Sequence, residues 1–394
     1  MATEIQQLSD LIVSSVSTLL QACKDCKTPF PDPTQAFTPQ SELFRASQVA
    51  ADAANIIAAA ALQLAARVLP PHTSLMNIAS AHFKSAALRT ALELSVTEIL
   101  REAGPQVFSV GDGAKSSSQL LENIKDPATD CSSEPNHAPF NRAFGVDIPI
   151  WLWYETQEQK YRRRRFAIAM RGVAQMQPSD LLDDVLDWKA LPRDSIIVDV
   201  GGGIGTSSLA VVTKNDHLNF VVQDLPMVCA EATAYWRKEY SKLIDTGRLS
   251  FSPHDFFNPQ PVTNASVFIL RQILHDWSDP YCVRILTELR AVATPDTKLV
   301  LVDSIIAYAC HDPTTETGLN SGYKEAPSPL LANYGAANII PYLLDLGMMM
   351  WTNAQERTIG HLDNLLRSTG WQIANARRRA PLSSFYEPVV AVPI

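Results

Sequence analysis

One segment limits the fold of this chain more than any other: an apolar run that passes directly into a glycine-rich turn. Residues Ile196–Val200 have the sequence IIVDV and are followed by the turn GGGIG, which ends at Gly205. Such a run predicts a buried strand, because β-branched side chains favour extended backbone. Glycines let the backbone approach a ligand closely, and a following helix N-terminus favours an anionic or carboxylate group. The segment therefore predicts a turn that binds a nucleotide-type ligand.

Short runs of β-branched residues alternate with helical segments from residue 195 onward. Strands that alternate with helices at this spacing imply parallel βαβ units and a doubly wound α/β sheet. Ligands of such sheets bind at the carboxyl ends of the strands. We therefore predict a Rossmann-like domain over residues 151–394. The predicted strands are Ile196–Val200, Asn219–Val222, Leu249–Phe251, Val267–Leu270 and Leu299–Val302.

Residues 1–150 lack the alternating strand and helix pattern of the later residues and predict an all-helical lobe. Apolar side chains recur at helical spacing in residues 1–25 and 41–103, with a break at Pro70-Pro71. Residues 107–139 are rich in Ser, Gly, Asp, Asn and Pro, which predicts an exposed loop with one short candidate helix at residues 117–124. The chain is therefore expected to consist of a helical lobe followed by an α/β domain.

The overall charge argues against a nucleic-acid-binding protein. The formal net charge is -8 and the pI is about 5.5, whereas nucleic-acid-binding proteins usually present a basic surface. A dense basic run occurs at Arg162–Arg165. We interpret this run as the solvent-facing side of an amphipathic helix, because charge runs usually face water.

Cysteine usage and hydropathy predict a reduced, cytoplasmic protein. The 6 cysteines are scattered and no secretory leader is evident. Cys23 and Cys26 form a CxxC pair, but no second pair is present to complete a zinc site. The Ala-rich stretch at residues 49–69 contains Asp52 and Arg67. We therefore predict that it is a packed helix and not a membrane span.

A carboxylate on the next predicted strand supports a nucleotide-type ligand. Asp224 follows Gly205 by 19 residues, where it can accept hydrogen bonds from both ribose hydroxyls. Gly201, Gly203 and Gly205 form GxGxG and not the GxGxxG of dinucleotide dehydrogenases. Asp199, two residues before the first glycine, is typical of methyltransferases. Its carboxylate is expected either to orient the loop or to bind the ammonium group in the methionine part of a methyltransferase cofactor.

Four motifs then follow in a fixed order: 198–205 (VDVGGGIG), 223–227 (QDLPM), 254–257 (HDFF) and 274–279 (LHDWSD). Together they resemble the class I small-molecule O-methyltransferases of the caffeic acid type, and especially their fungal relatives. The likeness spans residues 75–103 and 135–394. It implies S-adenosylmethionine as the cofactor and a hydroxyl of a small, aromatic secondary metabolite as the methyl acceptor. It also implies a homodimer formed through the N-terminal helices, with residues 81–99 as the interface helix.

The resemblance also implies which residues hold the cofactor. Asp255 and Phe256 would hold the adenine amine and stack on its ring. Arg271 stands where the family usually has a lysine that faces the cofactor. The cofactor-binding residues are therefore predicted to be Asp199, Gly201, Gly203, Gly205, Asp224, Leu225, Asp255, Phe256 and Arg271.

His275 matches the catalytic base of the family. A base is needed because a phenol, with a pKa of about 10, is mostly protonated at neutral pH, and imidazole is suited to take the proton. Asp303 and Glu356 match the carboxylates that flank this base, and either could hold the imidazole tautomer. No metal is then required. Predicted substrate contacts are Phe140, Asn141, Phe144 and Trp151, together with Met348 and Met349 of a Met-rich helix.

The sequence departs from the family after the interface helix. The family has a winged-helix module there, whereas here Gly104 is followed almost at once by residues 106–110 (QVFSV) and a Ser-rich loop, so the module is predicted to be shortened or missing. Two alternatives to methyl transfer are therefore considered: a cofactor-binding homologue that performs a dehydration or a pericyclic reaction, and a non-catalytic partner of a heterodimer. Residues 310–337 form a polar insertion, predicted to be a surface loop in preference to an extra lid.

Overall fold

The computed structural model describes residues 3–27, 39–69, 115–176, 181–312, 323–376 and 386–394. The chain divides into two compact units. The described residues of the first unit are 3–27, 39–69, 307–312 and 323–342, and those of the second are 115–176, 181–306, 343–376 and 386–394. The predicted boundary after residue 150 does not coincide with the boundaries of these units. That residues 1–150 and 151–394 are two domains stays a prediction.

Helices form the first unit, as expected for the N-terminal lobe. Helix α1 spans Glu4–Asp25 and helix α2 spans Gln48–Val68, with a 3-10 helix at Pro39–Ala46 between them. Thr3 caps α1 and Ser47 caps α2 through side-chain oxygens that accept backbone N–H groups. The predicted interface helix at residues 81–99 and the predicted loss of the winged-helix module both lie outside the described residues.

Helix α2 is rich in alanine and buries small side chains. Within the described ranges, only this helix is long and apolar enough to cross a membrane by length and composition. Its buried residues include Ala50, Ala53, Ala59 and Ala60, and they belong to clusters shared with side chains of α1. Such packing agrees with the prediction that the Ala-rich stretch at residues 49–69 is a packed helix. The absence of a membrane-spanning segment stays a prediction.

The insertion at 310–337 is only partly a surface loop. Its described residues lack regular structure apart from a 3-10 helix at Gly335–Asn338. Leu330 and Tyr334, however, are buried with Leu8 of α1 and Ala59 of α2. The expectation of a surface segment is wrong for these residues, because apolar side chains within the polar stretch pack on the helices.

A seven-stranded sheet forms the core of the second unit, with strand order β3-β2-β1-β4-β5-β7-β6. Strands β1 to β5 pair with one another in parallel, whereas β7 is antiparallel to both β5 and β6. All five predicted strands are confirmed, as is the doubly wound α/β fold. The strands are β1 (Ile196–Val200), β2 (Asn219–Asp224), β3 (Leu249–Pro253), β4 (Ala265–Arg271), β5 (Lys298–Asp303), β6 (Trp371–Ala376) and β7 (Glu387–Pro393).

Helices surround this sheet and precede it. A group of short helices before β1 carries an aromatic cluster in which Phe140, Ile150 and Trp153 are buried. The helices of the second unit are α3 (Leu120–Lys125), α4 (Pro139–Phe144), α5 (Ile150–Glu155), α6 (Lys160–Met176), α7 (Thr206–Val212), α8 (Pro226–Trp236), α9 (Ser241–Asp245), α10 (Asp279–Val292), α11 (Ile339–Thr352, which begins in the first unit) and α12 (Ile359–Ser368).

The register of the sheet brings polar residues to one edge. Asp224 ends β2, Arg271 ends β4 and Asp303 ends β5, while the glycine turn follows β1 directly. Arg271 pairs with Val302, the residue before Asp303. Because parallel strands end at the same edge, groups that are far apart in sequence meet there.

Candidate active site

A cavity of about 890 Å³ opens at the carboxyl edge of the sheet within the second unit. Its lining contains most of the residues that the sequence assigns to the cofactor. Gly205 is not among them; it lies at the N-cap of α7 with φ +77°, where a Cβ would meet Phe251 at 3.1 Å and Val222 at 3.2 Å. The predicted cofactor residues that line the cavity are Asp199, Gly201, Gly203, Asp224, Leu225, Asp255, Phe256 and Arg271.

The glycine turn is shaped by its lack of side chains. Gly201 and Gly203 have φ values of +68° and +59°, a region that side chains rarely adopt. A Cβ on Gly202 would lie 2.7 Å from Oδ2 of Asp199 and 2.8 Å from Cγ1 of Val222. The turn therefore leaves backbone exposed to the cavity in a cradle that a Cβ would disturb.

Gly202→Ala is expected to weaken binding of S-adenosylhomocysteine, used as a stable probe of the cradle. Overpacking usually costs about 1 to 3 kcal/mol of folding stability. The turn can relieve this clash by leaving its ligand-binding conformation, and the same free energy then appears as a rise in Kd of up to roughly 5- to 150-fold. Isothermal titration calorimetry measures this Kd directly. Gly347→Ala is the control, because a Cβ there meets nothing within 4 Å. Equal Kd values for the two variants would contradict the account of the turn.

Asp199 lines the cavity and has an unsatisfied carboxylate oxygen. Its Oδ2 accepts a hydrogen bond from Ser208 at 2.6 Å, whereas its Oδ1 is buried and has no hydrogen-bond partner among the described residues. Burial raises the pKa of Asp199 to about 6, against the opposing effects of the Ser208 bond and the charge of Arg271. A ligand ammonium would satisfy this oxygen.

Asp224 is fixed by the backbone on both sides. Its Oδ2 accepts from the N–H of Gly203 at 2.8 Å, and its Oδ1 accepts from the N–H of Leu225 at 2.7 Å. Each carboxylate oxygen can accept more than one hydrogen bond. The arrangement therefore leaves acceptor capacity for the two hydroxyls of a ribose.

Aromatic rings form the wall next to this carboxylate. The ring of Phe256 lies edge-on to those of Phe257 and Trp277, with centroid distances of 4.9 and 5.8 Å. Asp255 is exposed, and its Oδ1 accepts from the N–H of Phe257 at 3.0 Å. A flat heterocycle with an exocyclic amine fits a site with one aromatic wall and one carboxylate. The Gly cradle, the unsatisfied Asp199 oxygen and this wall together fit the three parts of S-adenosylmethionine.

His275 lies in a 3-10 turn, Leu274–Asp276, that follows β4. Its Nδ1 is 2.9 Å from Oε1 of Glu356, and both side chains are buried. Its Nε2 is 3.7 Å from Oδ1 of Asp276, which is too long for a hydrogen bond. Since His275 lines the cavity and Glu356 does not, the carboxylate orients the ring from behind and the second nitrogen remains for the cavity.

The second predicted acid, Asp303, acts differently from Glu356. It is buried, and its Oδ1 has no hydrogen-bond partner among the described residues. No hydrogen bond joins it to His275 within the described structure. Burial raises the pKa of Asp303 to about 6, while the charge of His275 opposes this rise. Of the two candidate acids, Glu356 is therefore the one that holds the imidazole tautomer.

The charges around His275 favour its protonated form. Burial alone lowers its pKa, but the carboxylates of Glu356, Asp276 and Asp303 outweigh burial and raise the pKa of His275 to about 10. Burial raises the pKa of Asp276 to about 7. The site therefore stabilises an imidazolium strongly.

The predicted substrate residues separate into two groups. Phe140, Trp151 and Met348 line the cavity, whereas Asn141, Phe144 and Met349 do not. Asn141 instead fixes a turn, because its Nδ2 donates to the carbonyls of residues 146 and 148 at 3.0 and 2.9 Å. The ring of Phe144 packs on that of Phe140 at 5.0 Å. The structure therefore does not support direct substrate contact by the second group.

The arginine run on α6 also differs from expectation. Arg164 is exposed, as a solvent-facing helix side requires, but Arg162, Arg163 and Arg165 line the cavity. Arg162 lies over the ring of Trp153 at 5.4 Å, and Arg163 donates to the carbonyl of Tyr154 at 3.2 Å. The interpretation is therefore wrong for these three residues, which are half-buried because this part of the polar side of α6 faces the cavity and not the outer surface.

Further lining residues carried no signal in the sequence. Gln272 donates to the hydroxyl of Tyr386 at 2.6 Å across 114 residues of chain, and both line the cavity. The ring of Tyr386 lies edge-on to that of His275 at 6.5 Å. Only proximity in the fold could have found Gln272 and Tyr386. His254, in contrast, begins the motif at 254–257; it also lines the cavity, and its buried Nε2 has no hydrogen-bond partner among the described residues.

No cluster of three or more His, Cys, Asp or Glu side chains that could hold a metal ion occurs in the described parts of the chain.

Comparison with known proteins assigns this site to a family. A family model described as an O-methyltransferase domain matches residues 121–372. The chain is 34% identical to 4-O-methyltransferase 1 of Phanerochaete chrysosporium, in an alignment that covers 100% of each protein. The chain belongs to the O-methyltransferase family. This O-methyltransferase uses S-adenosylmethionine, and its relatives include fungal enzymes of secondary metabolism.

Solved structures share the fold of this O-methyltransferase. The structure of LepI in complex with SAM aligns with a TM-score of 0.63 at 16% identity, and covers 98% of this chain and 99% of that chain. The O-methyltransferase NcsB1, solved with S-adenosylmethionine and 2-hydroxy-5-methyl naphthoic acid, aligns with a TM-score of 0.53 at 20% identity, and covers 72% of this chain and 70% of that chain. At these identities the likeness concerns the fold alone.

Proposed function

We propose that this O-methyltransferase methylates a hydroxyl on a small aromatic acceptor, with His275 as the general base and without a metal. One observation carries the proposal: Glu356 holds His275 at 2.9 Å in a cavity that also contains the glycine cradle. Phe140, Trp151 and Met348 give this cavity flat and polarisable walls, which suit an aromatic ring. The neighbour NcsB1 was solved with a hydroxylated naphthoic acid, which is a molecule of this class.

The residues divide the work between binding and proton transfer. When bound, S-adenosylmethionine supplies a methyl group on a sulfonium, which needs no further activation. Asp199 would hold the ammonium of the cofactor, and Asp224 would hold its ribose. Nε2 of His275 takes the proton from the acceptor hydroxyl as the oxygen gains the methyl group, so the products are a methyl ether and S-adenosylhomocysteine. Glu356 stabilises the imidazolium that this transfer creates.

Incubation with methyl-labelled cofactor and a panel of phenols and hydroxylated naphthoic acids tests the proposal. We expect label in an extractable, base-stable product that mass spectrometry identifies as a methyl ether. Transfer should be unaffected by EDTA. Binding of the cofactor with no transfer to any acceptor, or rearrangement of an unsaturated compound without methylation, would refute the proposal.

We also propose that the enzyme is cytoplasmic and forms a homodimer through its N-terminal helices. The resemblance to the family supports dimerisation, and a dimer interface there would cover exposed apolar side chains such as Val13 of α1 and Val68 of α2, which are 64% and 59% exposed. Size-exclusion chromatography with light scattering should give twice the chain mass of 43.3 kDa. A single peak at the monomer mass would exclude a stable homodimer.

A further inference from the structure

Arg357 is a buried cation that the mechanism above does not use. It follows Glu356 in the chain, and only 4% of its surface is exposed. Its Nη1 donates to the carbonyl of Leu274 at 2.8 Å, and its Nη2 donates to the carbonyl of Trp277 at 2.8 Å. These carbonyls lie immediately before and shortly after His275. One guanidinium therefore bridges both ends of the turn that carries the proposed base.

The charge of Arg357 is balanced outside the cavity. Oδ1 of Asp279 accepts from Nε and Nη2 of Arg357 at 3.0 and 2.8 Å, and Oδ2 of Asp279 lies 2.7 Å from Nε2 of His361. Although burial raises the pKa of Asp279, these hydrogen bonds hold it below its usual value. A buried charge with a complete set of partners is rigid, because each partner left alone would be costly.

The backbone of Arg357 is fixed to the sheet as well. Residue 305, just beyond β5, forms a parallel bridge with Arg357, and the N–H of Ile306 donates to its carbonyl at 3.1 Å. The pair Glu356-Arg357 is thus attached to an extension of the strand that ends at Asp303. From this anchor, Glu356 holds the imidazole ring and Arg357 holds the backbone on both sides of it.

We propose that Arg357 is a positioning residue for His275: its planar fork fixes the turn so that Nε2 points into the cavity. The proposal rests on the proposed function, because it takes His275 as the base. It predicts that lysine cannot replace Arg357, because one ammonium on a flexible stem cannot donate to both carbonyls and to Asp279 in a fixed geometry. Arg357→Lys should lower kcat by about 10²-fold, as misplacement of a reacting group by about 1 Å does.

Arg290 provides a matched control. It also donates to two backbone carbonyls, those of Gly370 and Ile394, both at 2.9 Å, but it does not line the cavity or contact the turn of His275. Arg290→Lys should therefore lower the melting temperature and leave kcat unchanged. Arg290→Lys should bind S-adenosylhomocysteine with the wild-type Kd, and Arg357→Lys should change kcat more than the KM of the acceptor.

A second readout is independent of turnover. NMR of ¹³C-labelled histidine, assigned with His275→Ala and recorded with S-adenosylhomocysteine bound, follows the titration of His275 directly. Arg357→Lys should shift this titration or split its signal, whereas Arg290→Lys should not. If the wild-type enzyme transfers no methyl group, the proposed function fails and this NMR comparison alone decides the role of Arg357. An unchanged His275 signal, or a wild-type kcat in Arg357→Lys, overturns the proposal.

Discussion

His275→Ala is expected to lower kcat for methyl transfer by roughly 10²- to 10⁴-fold, the usual contribution of a general base. The reason is the position of Nε2: Glu356 holds Nδ1 at 2.9 Å, and Asp276 at 3.7 Å makes no hydrogen bond to Nε2, so Nε2 remains for the acceptor proton. Single-turnover measurement with a labelled methyl group isolates the chemical step from product release.

Two measurements separate this loss from an effect on folding or cofactor binding. The Kd of S-adenosylhomocysteine should change little in His275→Ala, because Asp199 and Asp224 are intact. His217→Ala removes an imidazole that bonds to the carbonyl of Trp188 at 3.2 Å and does not line the cavity, so it should retain full activity. A His275→Ala enzyme with a rate within about threefold of wild type would rule out general-base catalysis by this residue.

Glu356→Gln is expected to move the pH dependence of kcat/KM to lower pH. The base must be neutral to accept a proton, and the carboxylates of Glu356, Asp276 and Asp303 raise the pKa of His275 to about 10 despite its burial. Activity of the wild type should therefore rise from neutral pH towards pH 10. Removing one negative charge lowers that pKa, so the rise should occur at lower pH, with a reduced plateau because the ring is held less firmly.

The same charges make a prediction about stability. Since the folded-state pKa of His275 lies above 6.5, the ion pair with Glu356 stabilises the fold fully below pH 6.5 and loses this contribution as pH rises through about 10. In Glu356→Gln the decline in stability should begin at lower pH. Thermal melts across the alkaline range measure this directly.

Two comparisons assign the pH effect to the enzyme. If His275 controls the pH dependence, kcat/KM should rise at the same pH for acceptors whose phenols have different pKa values. A rise whose pH follows the pKa of the acceptor would instead reflect ionisation of the phenol. Asp303→Asn should give a smaller shift than Glu356→Gln, because Asp303 contributes less to the pKa of His275 and makes no hydrogen bond to it. A profile in Glu356→Gln that coincides with that of the wild type would contradict the assignment.

The sequence predicts those parts of the site that are formed by residues close together in the chain. The strand IIVDV and the turn after it depend on neighbouring residues, so β1 and the glycine cradle could be predicted. Asp224 ends the strand next to β1, so its position follows from the same topology. His275 was predicted from its motif, and the structure places it in the cavity.

The rest depended on packing that no local pattern records. Helical periodicity shows that α6 has a polar side but not that this side faces a cavity, so Arg162 and its neighbours were placed in solvent. The sequence around Asn141 does not show whether its side chain binds a substrate or fixes a turn. Tyr386 reaches Gln272 only because β7 lies beside β5, a pairing that sequence spacing does not specify.

The position of β7 has a consequence for biosynthesis. Residues 387–393 are the last strand described, yet they lie between β5 and β6 and not at the rim of the sheet. On the ribosome, the hydrogen-bonding edge of β5 therefore stays open until these residues have emerged, and an open edge invites pairing with other chains. Synthesis of this enzyme should accordingly depend on chaperones that shield β5, and on how soon β7 follows β5 from the ribosome.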